Sequence, residues 1–193
     1  ELAKLASNAM LAQRISSINS LSALSKVTEA DIDEVSEAIG MDSRIGKRFL
    51  KVSPGFGGSC FQKDILNLVY LFRHYGLDDQ ADYWHSVIKI NDSQRRRVSD
   101  ILISYCKENK LDKKVALLGW SFKKNTNDTR ESSSIYIAYD LICSGFKITI
   151  YDPQVKHAKI IKDLTSLNLS RSMISDDIIQ ESIIYKDNFE ELI

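Results

Sequence analysis

One stretch of the chain gathers the residue types that nucleophilic chemistry needs: Gly55-Phe56-Gly57-Gly58-Ser59-Cys60-Phe61-Gln62-Lys63-Asp64. Three glycines within four positions let the backbone take unusual angles and let a ligand come close. Helical periodicity resumes directly afterwards, so Cys60 falls at a helix start, where free N–H groups and the helix dipole favour a thiolate. Lys63, one turn on, adds positive charge near the same sulfur. The competing reading is a cysteine that packs as a small hydrophobe, as most free thiols do. Cys106 and Cys143 lie inside apolar helical patterns and read as packing residues.

Two other clusters hold candidate chemistry. Lys4 and Asn8 stand four apart and share a helix face, while most of Leu2 to Ala12 is apolar or small. A helix apolar on most sides should be buried, and a lysine on it then needs a partner or ligand; the alternative is a narrow solvated stripe. The run Phe122-Lys123-Lys124-Asn125-Thr126-Asn127-Asp128-Thr129-Arg130-Glu131-Ser132 follows an apolar strand and leads into a helix. Ligands of α/β sheets bind beyond the carboxyl ends of strands, and lysine and arginine there suit phosphates; a solvated loop is the alternative. His74, His85 and His157 have no metal-site spacing, so no metal is expected. Arg95-Arg96-Arg97 reads as a helix surface. Asp152, before Pro153, reads as a turn residue, because the glycines of a dinucleotide fingerprint are missing around it.

These residues need elements to hold them. Glu1 to about Lys26 is free of glycine and proline and reads as one helix. Thr28 with Asp31 reads as the next helix start and Gly40 as its stop. Met41 to Ser59 reads as a loop, Phe61 to Gly76 as a helix, and Gln80 to Asn109 as a long one. On the last, Trp84, Ile88, Asn91, Arg95, Val98, Leu102 and Tyr105 form a seam three and four residues apart. Beyond it the texture changes to a buried strand (Val115 to Gly119), a helix (Ser132 to Ser144) and the strand KITIYD. His157 to Leu164 is a weak helix, Ile183-Ile184 a third strand, and the tail is undefined. The expected class is α followed by α/β. Residues 1–110 make a helical domain and 111–193 part of a Rossmann-like parallel sheet, with both ends reading as cut.

Lys plus Arg and Asp plus Glu each number 26, which argues against general attraction to nucleic acid or anionic membrane. No apolar run approaches the length of a membrane span. Three cysteines are an odd number for a disulfide framework, so a reducing, cytoplasmic setting is expected.

Taken together, ELAKLASNAMLAQRISSINS, GFGGSCFQKD and GWSFKKNTNDTRESSSIYI resemble the UDP-glucose/GDP-mannose dehydrogenase family, most closely its eukaryotic UDP-glucose-oxidising branch. The resemblance runs from Glu1 to about Pro153 and implies an oxidoreductase that converts UDP-glucose to UDP-glucuronate with two reductions of NAD. It assigns Cys60 as the nucleophile, Lys4 to oxyanion stabilisation or proton transfer, Asn8 to holding an oxygen or water, and Asp64 to orienting water or Lys4. It places Lys4, Asn8, Arg44, Phe49, Lys51, Gly55, Phe56, Gly57, Phe61, Phe122 and Lys123 on the substrate, Arg44 from across a dimer boundary. It places Cys60, Lys63 and Arg130 on NAD. A homodimer through the helical domain is implied, as is an NAD-binding domain upstream of these residues; the 193 residues alone are then expected to be inactive. Family members acting on UDP-N-acetylmannosamine or GDP-mannose remain open, as does a non-catalytic helical association module.

Overall fold

The computed structural model describes residues 1–192. They form two compact units, dividing between Gln94 and Arg95. The division lies within a helix and not near residue 110.

The first unit is helical. Helix α1 (Leu2–Thr28) buries Leu5, Ala9, Ala12, Ser16, Asn19, Ser22 and Ser25, a stripe of mostly small residues spaced three and four apart. Ile18, fully buried beside it, is the one large side chain that widens the stripe. Leu2, Met10, Leu21, Leu24 and Val27 are exposed, so α1 is not apolar-buried on most sides as its composition suggests. Helix α2 (Ile32–Gly40) is capped by Asp31, whose carboxylate accepts from the N–H groups of Asp33 and Glu34; Thr28 instead ends α1. Gly40 closes α2 because a Cβ there would lie 3.0 Å from Lys47 Cγ and 3.2 Å from its Cα. Close approach of the following chain, not a left-handed backbone, demands the glycine.

Helix α3 (Phe61–His74) and the first part of α4 (Asp78–Glu108) complete the unit. Ala9, Ala12, Phe56, Ile65, Leu68, Val69, Ala81, Val87 and Ile88 form its core, with Trp84 packed against it. The α4 seam is therefore occupied within each unit as far as Leu102, whereas Tyr105, read as its last member, is 58% exposed. Its later residues Val98, Leu102 and Ile103 pack on the second core beside buried Cys106, which explains why α4 is shared.

In the second unit β1 (Lys114–Leu118), β2 (Lys147–Tyr151) and β3 (Ile183–Tyr185) form a parallel sheet in that order, Val115 opposite Ile148 and Ile150 opposite Tyr185. Strand β1 lies at an edge of this three-stranded sheet and is only half-buried, with Leu118 59% exposed; it is not the buried strand its apolar run suggests. Helices α5 (Ser133–Cys143), α6 (His157–Arg171) and α7 (Asp176–Ser182) cover the sheet, and a short 3-10 turn spans Phe189–Leu192. Ile137, Tyr139, Leu141, Phe146, Ile148, Ile150, Ile160 and Leu164 are central to the core. The architecture is α followed by α/β, as expected. The tail adds α7 and extends α6 well past Leu164.

Candidate active site

The cysteine loop is held from beneath by side-chain amides. Asn91 on α4, fully buried, clamps Phe56 at both backbone groups: Phe56 N–H donates to Asn91 Oδ1 (2.7 Å) and Asn91 Nδ2 donates to the Phe56 carbonyl (3.1 Å). Ser53 is fixed likewise, its N–H donating to Asn19 Oδ1 (3.0 Å) and its carbonyl accepting from Gln94 Nε2 (3.0 Å). The Phe56 ring belongs to the core and meets Phe61 edge-on at 5.8 Å. Gly55 (φ 126°) and Gly58 (φ 85°) take backbone angles closed to other residues, whereas Gly57 does not. In the sequence Asn91 stands only as a member of the α4 seam, and Asn19 and Gln94 carry no motif; their polarity at buried helical positions is the available signal.

Cys60 stands at the N-cap of α3, exposed, with its sulfur 3.8 Å from Ser59 Oγ. The first turn carries Asp64, whose N–H donates to the Cys60 carbonyl (2.8 Å). The Asp64 carboxylate is buried and turned to α1: Asn8 Nδ2 donates to its Oδ2 at 2.6 Å, and Lys4 Nζ lies 3.9 Å from the same oxygen. Thus Lys4, Asn8 and Asp64 converge. A negative group in the first turn also suits the helix dipole. The Lys4 side chain is 72% exposed, so its ion pair contributes little to stability and leaves the ammonium accessible to a ligand.

The loop before the cysteine is strapped to α1 and α2. Arg14 donates to the carbonyls of Arg48 (2.9 Å) and Gly46 (2.7 Å), and Ser36 Oγ donates to that of Leu50 (2.6 Å). Phe49 projects from it, 42% exposed, with a left-handed backbone (φ 63°) that a bulky residue adopts only when its surroundings impose it. Lys51 and Lys63 are exposed. Arg44 is held by its neighbour: its guanidinium pairs with Asp42 at 2.6 Å, pulling that carboxyl below its ordinary range.

The second unit carries the other candidates. Phe122 N–H donates to the Asp128 carbonyl (3.0 Å), and Lys123 Nζ lies 5.3 Å from the Phe122 ring centre. Arg130 forms a two-point pair with Asp128 (2.9 and 2.7 Å), whose hydrogen bonds hold that carboxyl below its usual range. Beyond the carboxyl ends of β1 and β2 lies an open cleft of about 720 Å³ with Asn127, Arg130, Lys156 and Lys159 on its walls. Asp152 is no simple turn residue. It is buried and accepts hydrogen bonds from Trp120 N–H, Ser121 N–H, Ser121 Oγ, Gln154 N–H and Val155 N–H. Trp120 is fully buried, its indole N–H donating to Asp163 (3.0 Å).

Comparison with known proteins resolves what these two units are. Residues 1–93 match the central domain of the UDP-glucose/GDP-mannose dehydrogenase family, and residues 116–185 match that family's UDP binding domain. The chain belongs to this family. The UDP-glucose 6-dehydrogenase of Pongo abelii is 54% identical over 190 residues, 98% of this chain and 38% of that protein. That of Gallus gallus is 58% identical over 170 residues, 88% of this chain and 34% of that protein. A UDP-glucose dehydrogenase structure from the hyperthermophilic archaeon Pyrobaculum islandicum matches with a TM-score of 0.77 at 30% identity, covering 99% of this chain and 40% of that one. This family member therefore spans well under half the length of these relatives.

Proposed function

We propose that the protein carrying this chain is an NAD-dependent UDP-glucose 6-dehydrogenase, oxidising the C6 alcohol of UDP-glucose to the carboxylate of UDP-glucuronate. The observation that carries this reading is the meeting of Asn8 and Lys4 with Asp64, one helical turn beyond Cys60. An alcohol-to-acid oxidation passes through an aldehyde, which needs a nucleophile before a second hydride can leave. Cys60 is exposed and adds its sulfur to the aldehyde carbon, giving a thiohemiacetal. Loss of its remaining hydride leaves a thioester, which water cleaves. The Lys4 ammonium stabilises negative charge as it develops on the substrate oxygen, and Asp64 anchors Lys4 and Asn8 while accepting from the Asn8 amide. Arg44, Phe49, Lys51, Gly55, Phe56, Gly57 and Phe61, with Phe122 and Lys123, hold the nucleotide sugar in this reading.

NAD, when bound, accepts the two hydrides. Cys60, Lys63 and Arg130 are the contacts to it proposed here, and Arg130 fits: its side chain is 65% exposed and cationic beside an open cleft. No glycine-rich phosphate loop of the GxGxxG type occurs within these residues. The three cysteines are all free thiols, consistent with a cytoplasmic location. No helix among the described residues is long and apolar enough to cross a membrane.

The experiment is NADH production by the full-length protein with UDP-glucose, UDP-N-acetylmannosamine and GDP-mannose offered separately. UDP-glucose is expected to give the highest kcat/KM, and preference for either competitor would reassign the substrate. A homodimer through the helical unit belongs to the same reading. Because the α4 seam is occupied internally as far as Leu102, the face proposed for it is the exposed side of α1, Leu21 and Leu24, beside the groove lined by Tyr83, Val87 and Ile90. Light scattering is expected to give a dimeric mass at micromolar concentration and a smaller one for Leu24→Glu; an unchanged mass in that variant would remove this face from the interface.

A further inference from the structure

Arg95 reads in the sequence as part of a surface Arg-Arg-Arg run, yet it is 2% exposed. An arginine so placed has lost its hydration and needs partners with matching geometry. Four of its contacts lie on one short segment, Glu131 to Tyr136. Nη2 donates to the Glu131 carbonyl (2.8 Å), Nε donates to Ser133 Oγ (3.3 Å), and Nη1 lies 3.8 Å from the Glu131 carboxylate. The guanidinium also stacks over the Tyr136 ring at 4.1 Å, and the Tyr136 hydroxyl donates to the same Glu131 carboxylate (2.6 Å).

Glu131 is where the chain turns. Its backbone is left-handed (φ 54°), disfavoured for any residue with a Cβ, and Ser132 N–H closes the turn onto the Thr129 carbonyl (3.0 Å). Arg130 is the exposed residue inside that turn, flanked by buried Thr129 and by Glu131. Glu131 is thus gripped at carbonyl and carboxylate at once, and this fixes where the Arg130 side chain leaves the chain.

We propose that Arg95, with Tyr136, is a positioning residue that holds the Thr129–Ser132 turn so that Arg130 meets the cofactor. The inference rests on the reading that Arg130 contacts NAD. Arg95→Lys keeps the charge but cannot reproduce the planar fork. Tyr136→Phe keeps the stacked ring and removes only the hydroxyl bond to Glu131, which makes it the milder variant should the first fail to fold.

The test is a double-mutant cycle in the full-length protein, reading the Kd for NAD and, separately, for UDP-glucose. Arg95→Lys and Tyr136→Phe are each expected to raise the Kd for NAD by about fivefold or more while leaving UDP-glucose binding within about twofold. In an Arg130→Ala background the same changes should have almost no further effect on NAD, because the residue they act through is gone. Amide exchange should quicken at Arg130 to Ser133 and not in β1 or β2. Losses that add fully in the Arg130→Ala background, or that fall equally on both ligands, would overturn the inference and leave the Arg130 contact standing. Normal NAD binding by Arg130→Ala alone would overturn the contact and this inference with it.

Discussion

Cys60→Ser in the full-length protein is expected to cut net conversion of UDP-glucose to the acid by about a thousandfold or more, the scale on which removing a covalent nucleophile is felt. The fold should not register the change. Cys60 is exposed, its side chain caps nothing, and its sulfur lies 3.8 Å from Ser59 Oγ. A serine hydroxyl at an N-cap is, if anything, a better cap than a thiol, so the melting temperature should be unchanged or slightly raised. The loss is therefore chemical: a hydroxyl at the same position is a far weaker nucleophile toward the aldehyde. Acid formation by mass, NADH production and thermal unfolding would be measured on the same preparations. A serine variant with undiminished turnover would end the covalent route. A variant that loses activity together with several degrees of stability would instead point to a damaged loop.

How much of this was legible beforehand depended on whether the signal was local. Cys60 announces itself because glycines, cysteine and lysine adjoin in the chain, and α3, α4 and α5 because their apolar spacing is regular. Residues that meet only in three dimensions were harder. Asn91 falls on a seam whose spacing speaks only of packing, yet its amide is what holds Phe56. Arg95 sits in a run of three arginines, and one-dimensional charge patterning cannot tell which turns inward. The apolar residues of β1 predict a buried strand, but edge or centre is decided by strand order, which the three strands' sequences do not contain. The approach of Asn8 and Lys4 to Asp64 came from family resemblance. No spacing between residues 8 and 64 specifies it.

Asp152→Ala is expected to destabilise the second unit by about 3–5 kcal/mol, the range seen when a buried charged acceptor is removed from its donors. Asp152 closes both connections at the carboxyl end of the sheet. One oxygen takes Trp120 N–H (2.6 Å), Ser121 N–H (3.1 Å) and Ser121 Oγ (3.0 Å); the other takes Gln154 N–H (2.8 Å) and Val155 N–H (2.9 Å). Alanine would strand backbone donors, and Trp120 and Val155 are buried where water cannot replace the carboxylate. Asp152→Asn retains one acceptor oxygen, but its NH₂ would then face donors on the other side, so an intermediate loss is expected. Burial by itself raises the pKa of this carboxyl; the hydrogen bonds from Trp120, Gln154 and Ser121 outweigh it and hold the pKa below the ordinary value. A group whose pKa is depressed by folding contributes stability that is fully present above its unfolded value of about 3.9 and is lost as pH falls through the folded one. The gap in unfolding free energy between wild type and Asp152→Asn should therefore be widest near neutral pH and narrow on acidification below about pH 4. Denaturant unfolding followed by fluorescence reads this directly, since the fully buried Trp120 supplies one of the donors. A loss under about 1 kcal/mol for the alanine variant, or a gap that widens in acid, would show that the sheet end is held by something other than this carboxylate.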